Sequence, residues 1–403
     1  MSQLRARTLS ASEHGAFFEL TAAAFLEEPH EDWRAAHREV FDPERAHGVF
    51  DGSELVGGGE HLSSRIALPG GADFPLAAVT SVGVRPGHRR RGVLTELMRA
   101  QLESLRGSDE PLAGLVSSEG GIYGRFGYGV STRDGVLTVP RGAPFRSTVE
   151  VDPRPVRELD LARGEEFATE LHRLLWTQRP GWLAHDANWR NRVRNQHAFQ
   201  WGAGALRCAT HPDGYAFYRP KPGWKPEGPE YGLRVVELVA RTPAAYAALW
   251  RHLLDTDLVA QVTWPRAAVD EPLLAMLENP RSAELRMLDG LWLRPVDLDR
   301  VLAARQYSAP CEVVLDVHDA FCPWNAGRWL LRAGADGSAE VARTSSAPDL
   351  ALDVSDLAAA YLGGTSLTTL AAAGRVVAHS PDALRAATRA FATERAPHCP
   401  RNF

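Results

Sequence analysis

Cysteine is scarce in this chain: four residues of 403, namely Cys208, Cys311, Cys322 and Cys399, with no CxxC pair among them. That scatter excludes a zinc knuckle and a disulfide framework, and reads as four reduced thiols. No apolar run approaches the ~18 residues of a membrane span, and the opening MSQLRARTLSASEHG has no apolar core that could serve as a signal sequence. A cytoplasmic location without a membrane partner is the expectation. Basic excess is missing too: 45 Lys and Arg stand against 50 Asp and Glu, a formal net charge of −5, which argues against a nucleic-acid-binding protein. Two phosphate-binding fingerprints, GxxxxGK(S/T) and GxGxxG, are absent, so neither a nucleoside-triphosphate loop nor a dinucleotide fold is supported. Histidines such as His185, His197, His211 and His398 fall at no ligand spacing, and no metal is expected.

What is present is a soluble globular composition, 44% hydrophobic and 24% charged, in a chain too long for one ordinary core. Three textures divide it. Residues 1–150 alternate helix-like and strand-like patterns; residues 151–290 are tryptophan-rich, with the Pro- and Gly-dense YRPKPGWKPEGPEYG as a long loop or hairpin connection. Residues 291–403 change again: CEVVLDVHD and GRWLLRAG read as strands, and ALDVSDLAAAYLGG as a helix. SPDALRAATRAFAT reads as a helix capped by Ser380 with Pro381 at its first position.

The first unit holds the strongest local signal. Ala77 to Val84 is an apolar run stopped by Arg85-Pro86-Gly87, the pattern of a buried strand ending in a turn. Then comes HRRRG, and after it Leu94, Leu97, Met98, Leu102 and Leu105 recur at helical spacing. Leu112 to Ser118 is a second buried strand. Three arginines at a helix start, where the dipole already supplies positive charge and unpaired N–H groups, define a site that lacks an anion. Gly92 lets a ligand approach the backbone, and a pyrophosphate fits the turn.

The stretch VGVRPGHRRRGV resembles the acetyl-coenzyme A motif of the GCN5-related N-acetyltransferases. Together with SSEGGIYGRFGYG (117–129), HPDGYAFYR (211–219), DGLWLR (289–294) and an aromatic final residue, it resembles more narrowly the Eis ("enhanced intracellular survival") family, across essentially the whole chain. The resemblance implies an α/β (α+β) chain: an acetyltransferase domain at 1–150, a second acetyltransferase-like domain without a cofactor site at 151–290, and a sterol-carrier-like domain at 291–403. Acetyl-CoA would be the co-substrate. Val82, Gly83 and Val84 would meet its acetyl and pantetheine parts, the stretch Arg90, Arg91, Gly92, Val93, Leu94 and Thr95 its phosphates, and Ser118 and Glu119 its flank. Leu94 departs from the Gly or Ala general to the wider family and agrees with the narrower one.

Acetyl transfer to an amine needs a proton taken from the ammonium and one given to the departing thiolate. A tyrosine, with an unperturbed pKa near ~10, can donate to a thiolate of similar basicity. Chemistry alone leaves Tyr123 and Tyr128 equal; the resemblance implies Tyr123. It also implies that the terminal carboxylate, on Phe403 in the extended tail APHCPRNF, is the base. The substrates it implies are aminoglycoside-type or other polyamines, although Asn402 stands where aminoglycoside-acetylating relatives can carry an acid. In FLEEPHEDW, Phe25, Glu27 and Trp33 read as one wall of the amine pocket, with Trp176 and Trp189 opposite. Two rival functions differ from this: acetylation of protein lysines, and lipid binding with a vestigial transferase. The resemblance further implies a homohexamer.

Overall fold

The computed structural model describes residues 4–195 and 202–403. The chain opens with β1 (Leu4–Thr8), α1 (His14–Phe25) and α2 (Glu31–Arg38), then the meander β2 (Ala46–Asp51), β3 (Glu54–Ala67) and β4 (Asp73–Val84). The apolar run expected over 77–84 is the second half of β4; its first half is drawn into the sheet by pairing Phe74 with Ile66 and Asp73 with Ala67. Next come α3 (Val93–Leu105) and β5 (Leu112–Val116). The helix buries Val93, Leu97, Met98, Leu102 and Leu105 against the sheet, while Leu94, expected on the same stripe, is only half-buried.

The sheets do not divide where the texture of the sequence changes. The first runs β1-β2-β3-β4-β5 and is completed by Leu291–Pro295 and then β6 (Gly129–Val130). The second has seven strands and includes β7 (Arg133–Pro140), which precedes residue 150 in the chain. Two crossing segments lie side by side here: Ser131 and Thr132 N–H both donate to the Leu291 carbonyl (2.9 and 3.1 Å), and Gly290 N–H donates back to the Thr132 carbonyl (3.1 Å). Each crossing lets one domain lend a strand to the other. Strand pairing between residues about 160 positions apart leaves no local mark.

In the second sheet, Tyr231–Ala240, the helix Pro243–Leu254 and Val259–Ala267 repeat the strand–helix–parallel strand order of the first. Its turn is built differently. Thr242 Oγ1 accepts from Ala245 N–H (3.2 Å) and Pro243 has no N–H, so the helix start offers fewer free donors to an anion. The Pro- and Gly-dense connection is a hairpin, Trp224–Lys225 against Gly228–Pro229.

The third unit is a five-stranded sheet with helices against it. ALDVSDLAAAYLGG, read as helical throughout, begins as the strand Leu350–Asp353 and turns helical at Val354, where Asp353 caps by accepting from Ser355 N–H (2.9 Å). Ser380 does cap Pro381–Phe391, accepting from Ala383 N–H (3.2 Å). This unit is locked to the first sheet by a buried ion pair in which Arg294 Nη2 donates to both carboxylate oxygens of Asp319, at 2.9 and 2.7 Å. At Gly129 the contact is closer still: a Cβ there would stand 1.9 Å from the Ser355 carbonyl oxygen.

The tail returns between the first two sheets. Residues 397–401 are buried with no regular structure, and His398 is clamped by Trp182 Nε1–H (3.2 Å), the Arg266 carbonyl (2.8 Å) and the Pro180 carbonyl (2.9 Å). Burial pushes His398, and likewise His61 and His172, down to about 3. The unfolded chain takes up these protons near pH 6.5 and the folded chain does not, so the stability is full above pH 6.5 and is lost as pH falls. The melting temperature should therefore be flat from pH 7 to 8.5 and drop progressively between pH 6.5 and 4.5, as stability falls by about 1.4 kcal/mol per pH unit per histidine. A profile that stays level to pH 4.5 in a thermal-shift series would contradict this assignment.

Candidate active site

The site begins with two parallel strands that part. β4 and β5 pair only at Ala77–Ala113 and Ala78–Gly114. Beyond that point β4 carries a bulge, Ser81 and Val82 together opposing Gly59 of β3, and Ser81 takes the left-handed φ of 54°. A buried carboxylate secures the distortion: Ser81 Oγ donates to Glu60 Oε1 (2.7 Å), and His37 Nε2 meets the same oxygen at 2.6 Å. The parted strands open a cleft of about 800 Å³.

One wall of the cleft is the turn into α3. Arg90 (φ 61°) and Gly92 (φ 88°) are both left-handed, which aims successive amides to one side as an anion-binding nest. The first backbone bond of the helix is Glu96 N–H to the Gly92 carbonyl (3.1 Å), so the amides from Arg90 to Thr95 have no backbone acceptor among the described residues. Val82, Gly83 and Val84 line the opposite wall. Six unpaired amides beside a narrow cleft fit the pyrophosphate and pantetheine arm of a coenzyme A thioester.

Where the strands part, a second cavity of about 290 Å³ continues from the first, sharing Phe25, Val82, Ser118 and Tyr123 with it. Tyr123 and Phe403 both line this junction. Thr80 Oγ1 donates to the Phe403 main-chain oxygen at 2.8 Å, which fixes the tail against β4. Burial, with a smaller push from Glu119, raises the Tyr123 phenol to about 12. Tyr128 lies edge-on to Tyr123, ring centres 5.9 Å apart, and is shut in the core and raised further by its complete burial.

Of the other residues singled out in the sequence, Arg90, Gly92, Val93, Leu94, Thr95, Ser118 and Glu119 line the cleft. Arg91 does not: it points away and meets Asp51 at 3.4 Å. Phe25 lines both cavities, but Glu27 is exposed beyond the end of α1, and Trp33 stacks edge-on with His30 (5.3 Å) on α2. Neither of those two lines a described cavity. Trp176 is 7% exposed in the short turn packed on β3, a core position outside the site. Trp189 stacks on His185 (3.6 Å) and lines a different cavity, in the second domain. Thr80, Ser81 and Arg266 join the junction without having been singled out in the sequence, and Asn402, marked there only as the residue before the last, joins them.

Scattered histidines do gather in two places among the described residues: His172, His185 and Glu237, and Asp152, His211 and Asp213, each with ligating atoms within 4.8 Å. Both lie outside the cleft, and hydrogen bonds such as His185 Nε2 to Glu237 Oε1 (2.9 Å) occupy the first. His197 lies outside the described residues. None of the helices described is long and apolar enough to cross a membrane.

Family models match the chain as an acetyltransferase (GNAT) domain at residues 5–131, again as an acetyltransferase (GNAT) domain at 181–295, and as a sterol carrier protein domain at 298–400. The parted strands and the nest thus belong to a GNAT-class acetyltransferase, a class that uses acetyl-CoA. An uncharacterized N-acetyltransferase of Streptomyces avermitilis is 42% identical over 378 residues, covering 89% of this chain and 90% of the relative. The N-acetyltransferase Eis of Mycobacterium bovis is 34% identical over 360 residues, with coverage of 86% and 85%. The crystal structure of Eis1 from Mycobacterium abscessus superposes with a TM-score of 0.86 at 34% identity over all of both chains. The chain is an N-acetyltransferase and belongs to the Eis-like family of this class.

A side chain at Gly92 would strain a left-handed residue inside the nest, whereas Arg91 is committed to Asp51 outside it. Gly92→Val should weaken acetyl-CoA binding at least about tenfold by calorimetry, with Arg91→Ala within about twofold of the parent. The reverse order would show that side-chain charge, and not the amides, holds the phosphates.

Proposed function

We propose that this N-acetyltransferase moves the acetyl group of acetyl-CoA directly to a primary amine, with Tyr123 as general acid and the terminal carboxylate of Phe403 as general base. The observation that carries this reading is the junction cavity, where the Tyr123 ring and the Phe403 terminus line one space continuous with the cofactor cleft. The amine nitrogen attacks the thioester carbonyl; a C–N bond forms, the C–S bond breaks, the ammonium proton passes to the carboxylate and the Tyr123 proton to sulfur. The four cysteines are buried, and burial raises those at 208, 322 and 399, which supports a ternary complex over an acyl-cysteine. Thr80 serves as a positioning residue, holding the base through its hydroxyl. Aminoglycoside-type and polyamine acceptors are the substrates that the family resemblance implies.

Tyr123→Phe and deletion of Phe403 should each lower kcat by about 100-fold and leave acetyl-CoA affinity near that of the parent. A Tyr123→Phe enzyme with full activity, or an equal loss in Tyr128→Phe with none in Tyr123→Phe, would overturn the acid assignment. With its phenol raised to about 12, Tyr123 stays protonated throughout the working range. The kcat profile of the parent should accordingly show no falling limb between pH 7 and 10; a limb in that interval that vanishes in Tyr123→Phe would contradict it.

A further inference from the structure

The substrate class that the family resemblance implies is polycationic, and a pocket that encloses a polycation needs carboxylates to receive it. The junction cavity has none among its described side chains. Among the described residues two charged groups border it, the terminal carboxylate of Phe403 and the guanidinium of Arg266. Arg266 enters from Val259–Ala267 of the second sheet; its carbonyl meets His398 Nε2 at 2.8 Å and its Nη1 pairs with Asp134 at 2.5 Å. Burial raises Asp134 to about 6, so at neutral pH it is ionised and balances Arg266. That pair supplies no counter-charge for a second ammonium, and the one carboxylate left is the base itself.

Carboxylates in the neighbourhood do not line the cavity. Glu60 lies behind Ser81, its side chain 2% exposed and its Oε1 taken by Ser81 Oγ–H and His37 Nε2. Glu119 lines the cofactor cleft and not the junction, and the exposed Glu27, Glu28, Glu31 and Asp32 line neither. Residues 1–3 and 196–201, outside the described ones, carry no acidic side chain. Size and polarity agree with this. About 290 Å³ is at the lower end of the clefts that enclose a drug-sized ligand, roughly 300–1,000 Å³. Phe25, Val79, Val82 and Leu115 give it apolar wall, and its uncharged polar side chains are hydroxyls and the Asn402 amide. An apolar body gains by filling such a space and one ammonium is paired at Phe403, whereas a second ammonium enclosed there loses its hydration against no partner.

We propose that the acceptor substrate is a compact monoamine, a single ammonium on an apolar or aromatic body, and that the lack of a second carboxylate in the junction excludes amines carrying a further ammonium close to the first. The inference rests on the junction being the catalytic centre, and it departs from the polycationic class that the resemblance implies. Ser117 is the point at which a counter-charge can be added. It lines the junction, is half-buried, and its Oγ accepts from Glu119 N–H at 3.2 Å, a bond that an aspartate at the same position can also accept.

Thiol release by the full chain with acetyl-CoA should be compared for 4-methylbenzylamine, for 1,4-bis(aminomethyl)benzene, which is the same body with an ammonium added on its methyl group, and for tobramycin. The expected kcat/KM is at least about tenfold higher for the monoamine than for the diamine, with tobramycin below the monoamine as well. Ser117→Asp should shrink the monoamine-to-diamine ratio at least about tenfold, and Ser117→Asn, which adds the bulk without the charge, should not. Diamine or tobramycin turned over as fast as the monoamine, with Tyr123→Phe and the Phe403 deletion still impaired, would overturn the proposal and leave the catalytic centre standing. A ratio that Ser117→Asp leaves unchanged, or that Ser117→Asn shifts equally, would assign the preference to shape and overturn the role of charge. Full activity in Tyr123→Phe and in the Phe403 deletion would remove the junction as the catalytic centre and the proposal with it. Should Ser117→Asp not fold, calorimetric binding of the two benzylamines to the parent chain with coenzyme A takes its place: the monoamine should bind at least about tenfold tighter, and equal affinities would overturn the proposal.

Discussion

Two parallel strands that separate after two paired residues set up everything else in this molecule. A continuous β4–β5 ladder would satisfy its own backbone groups and leave no room between the strands. The bulge at Ser81 prevents that, and the bulge is held by a carboxylate, Glu60, that is itself nearly inaccessible to water and shared with His37. A distorted strand of this kind persists only where its surroundings over-determine it, and here a buried hydrogen-bond network does so. The opening it makes is the route by which the cofactor cleft and the tail meet.

The second constraint is the fixed position of the tail. The last residues of a chain ordinarily fray, and these are buried from 397 to 401 because Trp182 holds His398, because Arg179 donates to the Ala396 carbonyl and because Thr80 donates to the Phe403 main-chain oxygen. The third domain carries the segment there. Its own placement depends on the buried Arg294–Asp319 pair and on the close approach at Gly129, which no larger residue permits without moving the helix backbone opposite. The apolar core of the sterol-carrier-like unit is continuous with the first sheet, where Ile66, Leu76, Leu112 and Leu293 pack in one cluster with Leu315, Leu331 and Leu357, and its final residues run to the junction.

Much of the site is legible in the sequence where the signal is local. HRRRGVLTEL announces a helix start short of an anion, Gly92 marks the left-handed residue, and the apolar stripe gives the buried face of α3; all three are properties of one turn and its helix. Arg91 shows the limit of that reading, since a run of three arginines does not say which of them faces the ligand. The choice between Tyr123 and Tyr128 depends on which ring reaches the junction, and the two differ in that respect although both lie in one short loop. Thr80 and Arg266 carry no signal because contacts across 120 residues or more assemble them. The aromatic and acidic residues expected to wall the amine pocket illustrate the same limit: Trp176 satisfies a core, Trp33 packs on its own helix, and Trp189 lines a cavity of the second domain.

The central claim is that the amides of one turn hold the cofactor while the parted strands deliver its sulfur to the junction between Tyr123 and Phe403. A crystal structure of the chain with coenzyme A bound tests it most directly. The account predicts pyrophosphate oxygens within about 3 Å of main-chain nitrogens between Arg90 and Thr95, and the sulfur in hydrogen-bond reach of the Tyr123 hydroxyl. Coenzyme A seated in the second-domain cavity that Trp189 lines, or a sulfur remote from Tyr123, would contradict it.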